Sequence, residues 1–137
     1  MADMIYRSAI FAIALAASTA AAADPLTIRV GESWAFTIAK GQPANAHRVK
    51  ATAKPARGEI KATLTSLAGT TLTLTNNSST AYTYRAELIG AAKAGGRTCT
   101  LPPDAVPSLE YWPQKAAAVR IDDFRAATDP GSCPPAN

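Results

Sequence analysis

The stretch TLTLTNNSSTAYTYRAELIG, Thr71 to Gly90, contains two runs of alternating residues around a polar cluster. Side chains of an extended chain point to opposite faces in turn, so Leu72 and Leu74 share one face and the intervening threonines share the other. After the Asn, Ser and Thr residues at 76–80, residues 82–88 alternate between an aromatic and aliphatic face and a polar one. Asn and Ser side chains bond their own backbone and favour turns. The stretch therefore predicts two half-buried strands joined by a connection that reverses the chain or crosses over.

The same period of two recurs elsewhere in the chain, where Pro and Gly stand mostly at the boundaries of the runs. A weaker strand candidate is Arg48–Ala53, and Asp122-Asp123 indicates a bulge or a strand end. About seven short strands predict an all-β fold, an antiparallel β-sandwich in one domain. Further alternating residues are Leu26, Ile28 and Val30; Trp34, Phe36 and Ile38; Ile60, Ala62 and Leu64; and Val119 and Ile121. The expected core is Trp34, Phe36, Ile60, Leu64, Leu72, Leu74, Tyr84 and Leu88.

The N-terminal residues 1–23 have the order of a secretory signal peptide. Arg7 precedes a short Ala-rich apolar segment, and small residues end at Ala23 before Asp24. Such a segment is too short for a comfortable membrane span, and small residues suit signal peptidase. The sequence predicts removal of 1–23, one domain at 24–137, no stable membrane span, and a periplasmic or secreted location.

Cys99 and Cys133 are the only two cysteines, and both follow the predicted leader. Thiols of an exported protein meet an oxidising compartment, so we expect a Cys99–Cys133 disulfide that restrains the Pro-rich C-terminal tail. The alternatives are two free thiols or half of a metal site, but Cys-x-x-Cys spacing and a neighbouring His are both missing.

The segment TLTLTNNSSTAYTYRAEL resembles the B and C strands of bacterial immunoglobulin-like domains, in which a strand ending in Thr-Asn leads through a polar turn into an aromatic strand. The whole chain resembles small secreted or periplasmic immunoglobulin-like proteins of Gram-negative bacteria. The resemblance implies an immunoglobulin-like sandwich and an envelope location, and it implies no activity. The chain departs from antibody-type domains because no Cys stands in the segment that resembles the B strand.

Residues suited to catalysis or metal binding are few. His47 is the only histidine, and no Gly-x-Ser-x-Gly elbow accompanies it, so we interpret it as a surface residue. Asp122 and Asp123 are adjacent, so on a regular strand they face opposite sides and cannot flank one bond. After removal of the leader no Met remains to serve as a soft copper ligand. The sequence predicts no enzyme, no catalytic residue, no metal and no cofactor.

Positive charge is concentrated in one segment, within a chain whose net charge is +4. Such a run attracts anionic head groups, lipopolysaccharide phosphates or acidic polymers of an envelope, and the alternative is ordinary solubilising charge. Nucleic acid is not expected, because the run lacks interleaved aromatics and secretion removes the usual target. From Lys40 to Lys61 the bases are Lys40, Arg48, Lys50, Lys54, Arg57 and Lys61, with Glu59 as the single acid. We select Arg48, Lys50 and Arg57 as candidate binding residues.

A second candidate surface is Tyr111-Trp112, between two prolines in an expected loop. Exposed aromatics can stack on sugars or anchor a protein partner. The alternative is that Trp112 folds back to cover the end of a small core.

Three hypotheses of function remain from the sequence. The first is a non-catalytic envelope or secreted interaction module that binds an anionic component or a protein. The second is a hydrolase inhibitor or effector that presents a loop to an enzyme, and the third is a small periplasmic enzyme. The sequence identifies neither the partner nor the oligomeric state.

Overall fold

The computed structural model describes residues 23–92 and 96–127. These residues form nine β-strands and no helix, and none of them therefore provides a helix able to cross a membrane. The strands are β1 (Leu26–Arg29), β2 (Ser33–Ala39), β3 (Gln42–Arg48), β4 (Ile60–Thr65), β5 (Thr70–Asn76), β6 (Tyr82–Ile89), β7 (Gly96–Leu101), β8 (Pro107–Trp112) and β9 (Ala118–Ala126).

The strands form two antiparallel sheets, as the sequence predicts. The five-stranded sheet has the order β3-β2-β4-β5-β8 and the four-stranded sheet the order β1-β9-β6-β7. Both sheets contribute to one continuous core, so the architecture is a β-sandwich. Immunoglobulin domains instead place their first two strands side by side in one sheet, and the observed order does not confirm that part of the expectation.

The opening stretch crosses between the sheets. Leu72 and Leu74 of β5 are fully buried and pair with residues of β4, whereas β6 belongs to the opposite sheet. The polar connection between them is fixed by Asn76, a buried residue whose side-chain amide donates to the carbonyls of Thr80 at 2.7 Å and Pro102 at 3.3 Å. The two strands are therefore confirmed, and their connection is a crossover. The expected core residues are all buried except Trp34, which is half-buried.

Three strands, β3, β7 and β8, were not expected from the sequence, and Arg48–Ala53 is not a strand beyond Arg48. β3 contains Pro43, which the sheet accommodates because β3 is an edge strand. Lys40 and Gly41 both have positive φ, 52° and 77°, between Ala39 and its partner Gln42. Positive φ at both residues is typical of the two-residue turns whose twist matches the right-handed twist of the paired strands.

Of the two alternatives for Asp122-Asp123, a bulge or a strand end, the structure shows the bulge, because β9 continues to Ala126. Asp123 has a φ of 52°, and the register of β9 against β6 shifts around it. The extra residue allows Ile121 and Phe124, three positions apart, both to face the core. Phe124 stacks on Tyr84 with ring centroids 5.4 Å apart.

Two predictions fall wholly or partly outside the described residues. Residues 1–22 of the predicted signal peptide are not among them, and neither is Cys133. Cys99 is buried on β7 and faces the core. The signal peptide and the Cys99–Cys133 bond therefore stay predictions.

Candidate functional site

The outer faces of the two sheets differ in charge. On the four-stranded sheet, Glu87 accepts from Arg120 at 2.6 Å and lies 3.7 Å from Arg85. On the five-stranded sheet, β4, β5 and β8 present mostly threonine and apolar side chains, with Lys61 as their one charged residue. The outward residues are Lys61, Thr63, Thr65, Thr71, Thr73, Thr75, Pro107, Leu109 and Tyr111.

The segment 49–59, here called the strap, returns from the end of β3 to the start of β4 across this threonine-rich face. Lys61 holds it, because its ammonium group donates to the carbonyl of Ala51 and, at 2.7 Å, to that of Ala53. Lys61 is half-buried and bonded within the fold. Its charge therefore anchors the backbone of the strap and is not available as a free surface cation.

The far end of the strap is tied to the end of β5 through Asn77. Its side-chain amide donates to the Pro55 carbonyl at 2.9 Å, its carbonyl accepts from Gly58 at 2.7 Å, and its own N–H donates to Glu59 at 2.9 Å. Backbone fixed at several points loses little conformational entropy when a ligand binds. The strap is thus a preorganised element.

A groove lies beside the strap. By this groove we mean a row of three separate depressions along the outer side of β5 and over its end, in which neighbouring depressions share one lining residue, first Thr75 and then Asn77. The middle depression has a volume of about 380 Å³, within the range of small-ligand sites. The three are lined by Ala51, Lys61, Thr63, Thr73 and Thr75; by Lys54, Pro55, Thr75, Asn77 and Ala105; and by Arg57, Asn77, Ser78, Ser79 and Asp104.

Three cations of the strap face solvent. Lys50, Lys54 and Arg57 are exposed, and none of them forms an ion pair with an acid among the described residues. Glu59, the acid of this segment, is half-buried, accepts from the N–H of Ala56 at 2.9 Å and lies 3.7 Å from the ring of the exposed His47. The Glu59 carboxylate therefore interacts with Ala56 and His47 rather than with the three cations. The exposed surface of the strap keeps an excess of positive charge.

Arg48, the other selected base, has a different role. It lies at the opposite end of β3 from Lys40, and its guanidinium bonds Glu32 at 2.6 Å and covers the Trp34 ring at 5.8 Å. Glu32 also accepts from the N–H of Arg29 at 2.9 Å and from the indole of Trp34 at 3.2 Å. The Arg29 N–H bond, with the Trp34 bond and the Arg48 charge, lowers the pKa of Glu32 although burial opposes the shift. Arg48 is thus an exposed residue whose charge is already paired with Glu32.

The expected Tyr111-Trp112 loop is the end of strand β8, and its two aromatics face opposite sides. Tyr111 is 51% exposed, and its hydroxyl donates to the Ala68 carbonyl at 2.9 Å. A Cβ added to Gly69 would lie 3.0 Å from the tyrosine ring, so the ring packs against that glycine. Tyr111 is therefore an exposed ring held in one orientation beside the threonine rows.

Trp112 is buried, in agreement with the alternative that it covers the end of the core, so the aromatic surface of this pair is that of Tyr111. The guanidinium of Arg97, on β7, lies 5.0 Å from the Trp112 ring and bonds Glu110 at 3.3 Å. This cluster closes the sandwich between the edge strands β7 and β8.

The described residues show no arrangement for metal binding by three or more His, Cys, Asp or Glu side chains. The Nδ1 atom of His47 lies 3.0 Å from the Asn45 carbonyl, and its other ring nitrogen faces Glu59. The chemistry of the groove is therefore that of hydroxyls, amides and surface charges, which suits binding.

Of the residues selected from the sequence, Arg57 lines the groove, Lys50 lies on the strap next to Ala51, and Tyr111 pairs with Thr71 beside the first depression. The sequence did not identify Lys54, Thr73, Thr75, Asn77 or Asp104 as binding residues. The alternation of the sequence shows that these threonines face outward. It does not show that the strap lies beside them and forms one wall of a groove, because that depends on the bonds of Lys61 to the strap.

No protein-family model, no curated protein and no solved structure matched this chain when it was compared with them.

Proposed function

We propose that this protein is a non-catalytic secreted or periplasmic interaction module that binds an anionic component of the cell envelope at the groove. The observation that carries this proposal is the strap, a preorganised segment on which Lys50, Lys54 and Arg57 are exposed without an acidic partner among the described residues. Lys54 and Arg57 line the groove itself.

The expected interaction is electrostatic and depends on salt. Attraction between exposed charges is screened beyond about 8 Å at physiological ionic strength, so binding should weaken as salt rises. A ligand held in the groove keeps part of the attraction, because it approaches Lys54 and Arg57 more closely than that distance. The fixed strap adds to affinity because little backbone has to be ordered on binding.

Co-sedimentation with lipopolysaccharide and with anionic vesicles, at low and at high salt, tests the proposal. The variant Lys50→Gln/Lys54→Gln/Arg57→Gln should lose most of the salt-sensitive binding. The control Arg29→Gln/Arg85→Gln/Lys115→Gln removes the same charge away from the groove and should bind as the wild type does. Exposed substitutions shift stability by less than about 0.5 kcal/mol, so all three proteins should remain folded.

If both triple variants lost binding equally, binding would depend on the net charge of the protein alone. That result would contradict the groove as the binding site. The preorganised strap also suits the second hypothesis, a loop presented to a hydrolase. If a pull-down from envelope extract returned a single hydrolase that the strap variant no longer captured, the inhibitor function would replace the one proposed here.

A further inference from the structure

The floor of the groove carries both donors and acceptors and no free charge. Thr73 and Thr75 project from the same side of β5, about 7 Å apart along the strand, and Asn77 continues the line. A threonine hydroxyl both donates and accepts hydrogen bonds. A chain of phosphates or carboxylates offers acceptors only and would leave half of this capacity unused.

The exposed ring of Tyr111 lies at the β8 side of the floor. Tyr111 pairs with Thr71, and Leu109, two residues earlier on β8, pairs with Thr73. Because Thr73 lines the first depression, the tyrosine lies two residues along the strands from that depression. The Ala68 bond and the contact with Gly69 hold the ring in place while half of the residue's surface stays open. A fixed aromatic face of this kind packs against a ligand that is apolar on its faces and polar at its edges, as a sugar ring is.

The far depression contains charges of both signs. Arg57 and Asp104 line it together with Asn77, Ser78 and Ser79, and no ion pair joins Arg57 to Asp104 in the described part of the chain. A polymer that carries only negative groups would meet repulsion from Asp104. A chain in which acidic groups alternate with hydroxyls satisfies both residues, because hydroxyls can donate to the carboxylate while the guanidinium binds an acid group.

We infer that the anionic component is an acidic glycan, a chain of sugars bearing carboxylates, that lies along the groove. This inference rests on the proposed function and narrows its ligand class. One sugar ring stacks on Tyr111, hydroxyls of the following sugars bond Thr73, Thr75 and Asn77, and the acid groups face Lys54 and Arg57.

Titration calorimetry with three soluble probes of similar length tests the inference. The probes are an oligogalacturonate, a neutral oligosaccharide, and an oligoglutamate of equal charge that contains no sugar. The wild type should bind the oligogalacturonate at least about tenfold more tightly than the oligoglutamate, since the sugar hydroxyls add hydrogen bonds worth roughly a factor of ten together. The neutral oligosaccharide should bind more weakly than the acidic one and without salt dependence.

Two sets of variants locate the contacts. Thr73→Val/Thr75→Val keeps the shape of the floor and removes two hydroxyls, so oligogalacturonate affinity should fall about tenfold. The matched control Thr98→Val/Thr100→Val changes outward residues of β7 and should stay within about twofold. Tyr111→Ala should weaken binding by a similar factor, and Tyr111→Phe, which keeps the ring, should restore most of it.

One result would overturn the glycan inference alone, and a different result would overturn the proposed anionic function on which it rests. Equal binding of oligogalacturonate and oligoglutamate, unaffected by the Thr and Tyr variants, would reject the glycan while the proposed anionic function stands. Equal binding of the acidic and the neutral sugar, unaffected by Lys50→Gln/Lys54→Gln/Arg57→Gln, would reject the anionic function and leave a site for neutral sugars.

Discussion

Lys61 offers a direct test of whether the strap is a fixed wall. Lys61→Met keeps a long apolar stem and removes the ammonium group that bonds the carbonyls of Ala51 and Ala53. A hydrogen bond to a charged group contributes about 1.5 to 3 kcal/mol. The two bonds should not add in full, because the exposed strap lets water reach the released carbonyls. We therefore expect the free energy of strap opening to fall by about 1.5 to 3 kcal/mol in total, equivalent to a change of roughly 10- to 150-fold in the opening equilibrium.

The readout is amide hydrogen exchange at Ala53, whose N–H donates to the Lys50 carbonyl at 3.0 Å within the strap. Its exchange should accelerate by the same factor in Lys61→Met, and binding at the groove should weaken because the strap that forms its wall is released. The control is Lys54→Met, an equal loss of charge on the strap at an exposed residue, which should leave the exchange of Ala53 unchanged. Unchanged exchange in Lys61→Met would show that other contacts hold the strap.

Three further predictions concern the core, the pH dependence of stability and the disulfide expected from the sequence. Leu74→Ala should lower the free energy of unfolding by about 2 to 5 kcal/mol in urea titration, because the side chain is fully buried, and a loss below about 0.5 kcal/mol would contradict the register of β5. The pKa of Glu32 is lowered in the folded state, so its ionised form stabilises the fold at pH values above the ordinary pKa of 4.5, and this contribution is lost as pH falls through the lowered pKa. The difference in free energy of unfolding between the wild type and Glu32→Gln should therefore narrow between pH 7 and pH 3. A difference that stays constant over this range would contradict the lowered pKa. Natively exported protein should show no alkylatable thiol in mass spectrometry if Cys99 and Cys133 are joined, and two alkylated cysteines would reject the bond.

Much of the core could be predicted from alternation alone, because the pleat of a strand decides which side chains face inward. Phe36, Leu72 and Tyr84 were placed correctly on this basis. Strands β7 and β8 were missed because their inward positions include Arg97 and Glu110, which break the apolar pattern. Those two charges are tolerated inside because each neutralises the other between the edge strands.

The candidate site could be predicted only in part, because a linear run of charge does not show which cations are used by the fold. Arg48 is exposed but paired with Glu32, and Lys61 bonds strap carbonyls, whereas Lys50 and Lys54 are exposed and form no ion pair among the described residues. This division depends on contacts between distant parts of the chain. For this reason Arg48 is left out of the charge variant that tests binding, since neutralising it would break its bond to Glu32 as well as remove a surface charge.

The edge strand beside the groove bears on the choice between a glycan and an extended peptide. Peptides commonly bind β-sandwiches by adding a strand to a free edge, which requires open N–H and C=O groups. On β8, Pro107 has no N–H to offer, and the Tyr111 carbonyl accepts from Arg97 at 3.2 Å. The inward charge of Glu110 and its bond to Arg97 also discourage strand addition at this edge. The groove instead exposes side-chain hydroxyls, a fixed aromatic ring and cations, which favour a ligand recognised by its own hydroxyl and acid groups rather than by a peptide backbone.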